Sequence, residues 1–193
     1  MWHVHTESTS PTPRELVAGV DLLEIGGGAL AILEQGGEGA YVVRYLHDFS
    51  RFITHRRMAG IVASKLAGAE ATVTVNGSRV GAATVGLFHG AGRVETWTED
   101  ATAVKDLLSN VRVLLDNHSL RFAQGLGGIT LFLDELRALS AARIGWATPL
   151  AMALALAAWG AEQYQPARLW GGGGGGYGSW GRLSGPRKPS WMP

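Results

Sequence analysis

Glycine cuts the N-terminal half of this chain into short pieces. Gly26-Gly27-Gly28, Gly36-Gly37-Glu38-Gly39, Asn76-Gly77, Gly86 and the pair Gly90 and Gly92 interrupt apolar runs rich in Val, Leu, Ile and Ala. Runs this short, closed by turn residues, suit strands better than helices. Residues 29–35 and 40–46 flank the glycine-rich tetrad and are expected to form a hairpin. A helix ending at Gln35 is the alternative, because Ala and Leu are helix formers. Asn76-Gly77 is the pair that a type I′ turn prefers, and 71–75 alternates Val with Thr. With runs at 82–88 and 93–98, this segment is expected to form an antiparallel meander.

Longer periodic stretches punctuate the strands. Leu46, Phe49, Phe52, Ile53, Ile61, Val62 and Leu66 recur at helical steps, so a helix is expected over 47–66, with His47, Arg51 and His55 on one face. Val104, Leu107, Leu108, Val111 and Leu115 mark a second helix over 99–117. Residues 119–124 suit a short strand, 129–145 a third helix, and Thr148-Pro149 starts a fourth that runs to about Gln163. The expected fold is α+β: antiparallel hairpins or a meander packed with about four helices, helical in its C-terminal half. The expected division is an N-terminal arm over 1–13, one domain over 14–165 and a Gly/Trp-rich basic arm over 166–193.

Charge is segregated along this frame. The whole chain carries a net +1, but residues 1–39 sum to −5 and residues 40–69 to +4. Beyond Gln163 there are four cations, Arg168, Arg182, Arg187 and Lys188, and no acid. Such a layout suits partner subunits or a polyanion better than a small neutral substrate. The candidate polyanion contacts are Arg51, His55, Arg56 and Arg57 with Arg182, Arg187 and Lys188. In the tail, Trp170, Tyr177, Trp180 and Trp191 lie among glycines that cannot order without a partner. Aromatics stack on bases and on neighbouring subunits alike, so the tail reads as an assembly arm, a nucleic-acid contact or a solvated tail.

Signatures of small-molecule chemistry are weak. The chain has no cysteine, which removes disulfides, thiolate nucleophiles and Cys-based zinc sites. The glycine stretches lack both dinucleotide and P-loop spacing. Ser78 and Ser179 miss the nucleophile-elbow pattern. His47 and His55, eight apart, stand too far from each other on a helix to share a metal. Asp134 and Glu135 point to different faces of theirs. Asn76-Gly77-Ser78 and Asn117-His118-Ser119 match the glycosylation pattern by composition alone. No catalytic residue, metal ligand or cofactor is therefore expected. Residues 144–161 carry no charge, so contact with lipid is weighed against a buried helix or a subunit interface. The N-terminus lacks a secretory pattern, and a protein that is soluble or part of a particle is expected.

From these features the expected function is a non-enzymatic structural or assembly subunit of a large homo- or hetero-oligomeric complex, of virion-shell (capsid) or accessory type. Its partners would be further copies of itself or other subunits, met through the terminal arms. One alternative is a nucleic-acid-binding protein that uses the basic segment 44–65 and the tail, RNA included. A second is a small enzyme whose site gathers scattered His, Asp and Ser residues.

Overall fold

The computed structural model describes residues 15–36, 40–98, 101–140 and 149–163. The terminal arms, with Trp170, Tyr177, Trp180, Arg182, Arg187, Lys188 and Trp191, lie outside the described residues. The strands are β1 (Glu15–Leu22), β2 (Gly28–Gln35), β3 (Tyr41–Phe49), β4 (Glu70–Asn76), β5 (Arg93–Trp97) and β6 (Leu120–Phe122). The helices are α1 (His55–Leu66), α2 (Ala82–Gly86), α3 (Ala101–Asp116), α4 (Ile129–Ser140) and α5 (Pro149–Gln163), with a 3₁₀ turn at Leu87–Ala91.

All six strands join one mixed sheet in the order β5-β4-β1-β2-β3-β6. β1, β2 and β3 are antiparallel neighbours, so the expected hairpin around 36–39 is present. β4 and β5 instead run parallel to β1. Parallel neighbours need a crossover, and α1 and the short helical segment 82–91 supply the two crossovers. This corrects the meander expected at 71–98. Asn76-Gly77 makes no hairpin turn. Asn76 ends β4, and its side-chain oxygen accepts from the Ser78 N–H at 3.0 Å, which folds the chain into an Asx turn. Asn117 makes the same contact with Ser119, so both Asn-x-Ser matches are turn chemistry.

The helix expected over 47–66 begins at His55. Residues 41–49, rich in aromatic and β-branched side chains, extend β3 through His47 to Phe49. Thr54 then caps α1 by accepting from the Arg57 N–H. His47 therefore lies on a strand and shares no helix face with Arg51 and His55.

Two apolar layers cover the sheet. On one face Ala18, Val20, Leu22, Leu30, Ile32, Val73 and Val75 meet α1 and the 82–91 segment. On the other, Val17, Ala29, Ala31, Leu33 and Val43 meet α3, α4 and α5. α5 is apolar all round and buried from Leu150 to Ala158, as a helix enclosed by sheet and neighbouring helices must be. It lies directly on β1, because a Cβ on Gly19 would stand 1.9 Å from the Ala153 carbonyl oxygen. Burial against the sheet accounts for the lack of charge from Leu150 to Ala161, and residues 144–148 lie outside the described residues. Among the described residues no helix is long and apolar enough to cross a membrane.

Candidate functional site at the strand ends

β1 and β4 are parallel, and β2 begins and β3 ends beside them, so four strands bring polar groups to one end of the sheet. Along β1, Val17, Gly19 and Asp21 share the parity that faces α5, and an acid therefore falls on a buried apolar face. Cross-strand register places Asp21 opposite Ala29, and Ala29 opposite Asp48. Asp48 reaches this face because the register slips between Ile32 and Leu33, which leaves Arg44 as an extra residue on β3 and reverses the parity of everything after it. On the other side of β1, Asn76 closes the row from the end of β4. The row reads Asn76, Asp21, Ala29, Asp48, with the small Ala29 between the two acids, whose strands lie two spacings, roughly 10 Å, apart at the backbone.

The row is tightly bonded at one end. Asp21 is 1% exposed and Asn76 is fully buried. The Asn76 amide donates to Asp21 Oδ1 at 2.8 Å. The amide orientation is unambiguous: the Ser78 N–H can only donate, so Asn76 Oδ1 faces Ser78 and Nδ2 faces the carboxylate.

Glu135 on α4 completes the cluster. It is buried, and its two oxygens accept from the first free N–H groups of α5: Ala151 at 2.8 Å and Leu150 at 3.4 Å. A carboxylate from another helix thus caps α5 and meets its dipole. Removal from water outweighs those bonds and, with Asp48 and Asp21 nearby, pushes the Glu135 carboxyl up to about 7. Burial also raises Asp48, against the pull of His47. Beside Asp48 an open groove of about 370 Å³ runs between β3 and the glycine-rich loop 123–128.

The rim at this end of the sheet is apolar and basic. Loop 23–27 is bound to loop 50–54 by the Gly27 N–H, which donates to the Ile53 carbonyl at 2.8 Å. His55 ties the same loops together, with Nε2 donating to the Leu23 carbonyl at 2.8 Å. The paired loops present Ile25 and Phe52, 94% and 93% exposed. Arg51, Arg56 and Arg57 are exposed around them, and among the described residues none of the three is in an ion pair. Of the residues expected to meet a polyanion, Arg51, Arg56 and Arg57 are therefore brought together, while His55 is engaged in holding the loops.

Asp21, Asn76, Asp48 and Glu135 were not expected as a group. A signal for Asp21 exists in the sequence: an acid at the inward parity of an otherwise apolar strand, ELVAGVDL. No comparable signal exists for Asp48, whose direction depends on the bulge, or for Glu135, whose role depends on the docking of α4.

No family model matches this chain, and no curated protein matches it by sequence. Solved structures do match. The Mn-soaked human cytomegalovirus terminase nuclease domain superposes with a TM-score of 0.58 at 12% identity, over 82% of this chain and 89% of that one. The same viral domain, Mn-soaked and with an inhibitor bound, gives 0.54 at 13% identity, over 74% and 82%. The large terminase nuclease of thermophilic phage G20c gives 0.55 at 17% identity, over 75% and 81%. The fold is thus an α+β fold shared with terminase nuclease domains. This corrects the expected non-enzymatic structural subunit of capsid or accessory type: the solved structures that share the fold are terminase nuclease domains.

The Mn soak of the cytomegalovirus domain prompts the question whether this chain's donors suit a metal. They do not. Among the described residues no group of three or more His, Asp or Glu side chains is placed to hold a metal ion. At the strand ends, Asp21 Oδ1 accepts from the Asn76 amide and both Glu135 oxygens accept from α5.

Proposed function

We propose that this domain binds nucleic acid at the strand-end face, through Arg51, Phe52, Arg56 and Arg57. The observation that carries the reading is the electrostatic oddity of α1. Its first turn holds two arginines and no acid, although a helix N-terminus disfavours cations. An anion at that position offsets both, and a phosphate is met by the guanidinium groups and the helix end together. Phe52, almost fully exposed, offers a face on which a base can stack. The row of carboxyls lies behind the rim, with Asp21 buried under an amide hydrogen bond and the Glu135 carboxyl raised to about 7, so that about half of it is neutral at pH 7. Support also comes from the fold, which the neighbours named as nucleases share.

The test is anisotropy of labelled single- and double-stranded DNA and RNA with the full chain across a salt series. Binding should weaken steeply with salt. Arg56→Glu with Arg57→Glu should weaken it by at least about tenfold at low salt and flatten the salt slope by about 2. Phe52→Ala should reduce affinity for single strands more than for duplex. Salt-independent retention, or affinity unchanged by the double charge reversal, contradicts the reading.

A further inference from the structure

We infer that the strand-end centre of this chain is closed to divalent metal, so that the domain binds nucleic acid without cutting it by metal chemistry. The second half rests on the nucleic-acid reading above; the first does not. The key residue is Asn76. Its position, beside Asp21 at the end of the adjacent parallel strand, is where a second carboxylate would make a cation site. Asn76 instead turns its donor toward Asp21 Oδ1 and commits its one acceptor to the Ser78 N–H. A cation approaching Asp21 from β4 would meet N–H hydrogens of like polarity. Asn76 presents a neutral N–H donor there, with its oxygen turned to Ser78, and so adds no anionic ligand. Both oxygens of Glu135 face the N–H groups of α5, and rotating them away would leave buried donors unpaired. Asp48 is the exposed carboxylate of the cluster, and with Asp21 and Glu135 engaged as above it is left to bind alone, which does not hold Mn²⁺ or Mg²⁺ against water. The centre is thus a hydrogen-bonded brace that locks β1 to β4 and α4 to α5.

The brace predicts a gain of function from one atom pair. Asn76→Asp replaces the donor by a carboxylate, which sets two buried like charges side by side and opens a pair of oxygen ligands. The test measures Mn²⁺ binding by the loss of its free electron-spin resonance signal, together with thermal melting in EDTA and in Mn²⁺. Wild-type chain should remove no Mn²⁺ at micromolar concentration, and its melting temperature should be the same in both buffers. The Asn76→Asp chain should melt lower than wild type in EDTA, regain stability in Mn²⁺, and bind Mn²⁺ at least about tenfold tighter than wild type. One Mn²⁺ bound per wild-type chain at micromolar concentration, and lost in Asp21→Asn, overturns the inference. The wild-type measurement decides this even if Asn76→Asp fails to fold.

DNA is then followed in the same two buffers. Equal affinity in EDTA and in Mn²⁺, with the strands intact, supports binding without cutting. Cleavage in Mn²⁺ that Asp21→Asn abolishes overturns it. Binding in neither buffer removes the nucleic-acid reading while the resonance result still judges the metal inference.

Discussion

Asp21 is an acid on a buried strand face, and the chain tolerates it because a neighbouring amide answers it. The same logic governs Glu135, with one difference: its partners are backbone N–H groups that need an acceptor whatever the pH. Burial raises its carboxyl from 4.5 to about 7, so the folded chain holds a proton there that the unfolded chain has released. Protonation therefore favours folding. The contribution is complete below about 4.5 and fades as pH rises through about 7. Unfolding free energy should fall by up to about 3 kcal/mol from mildly acidic to mildly alkaline buffer. Asp48, also raised, adds a change of the same sign at lower pH. Glu135→Gln, neutral throughout, should flatten the profile near neutrality. Denaturant melts across that pH range check this, and a variant profile parallel to wild type would contradict it. None of these roles is written in residue spacing. Glu135 reads from sequence as one half of an acidic pair on a helix, and only the docking of α4 against the start of α5 makes it a cap.

At the level of elements, α5 sets how the site is built, because its N-terminus arrives next to Asp21 only if the helix lies almost in contact with β1. Gly19 permits this, and Gly160 permits the matching approach of α5 to Thr74 and Val17. Gly19→Ala would place a methyl carbon within 2.4 Å of the Ala157 nitrogen as well as against the Ala153 carbonyl. The helix must lift, and a loss of about 3 kcal/mol or more is expected in chemical denaturation. Gly60 in α1 is the control: nothing lies within 4 Å of its added Cβ. Gly60→Ala should stabilise by up to about 1 kcal/mol. Equal effects at the two glycines would contradict the packing account.

The same scale shows what the sequence discloses. The hairpin about 36–39, α5 starting at Pro149, and the stripe of α3 are legible because their periods and caps are local. The start of α1 is misread because Leu46, Phe49, Phe52 and Ile53 fit a helical period by chance, while Phe49 belongs to a strand and Phe52 to a loop. Residues 82–88 read as a strand because Thr84, Val85 and Phe88 favour one. Tertiary context overrides that propensity, since parallel β4 and β5 require a crossover.

For the molecule as a whole, sheet order decides where chemistry can gather. Parallel β1 and β4 end together, antiparallel β2 and β3 begin and end beside them, and the loops that follow these strands form one rim. The exposed basic and aromatic rim there is what the proposed nucleic-acid surface rests on, and the carboxyl row beneath it is braced by Asn76. The expected cluster Arg51, Arg56 and Arg57 was legible as charge in the sequence. Its placement at the strand ends was not, because it follows from β3 running on to Phe49 and α1 starting only at His55.

The most direct measurement is amide hydrogen exchange of the full chain with and without a saturating single-stranded oligonucleotide in EDTA. Slowed exchange confined to residues 23–27 and 50–57 is the predicted result. Unchanged exchange there, with protection on another face or nowhere, would contradict a nucleic-acid surface at the strand ends.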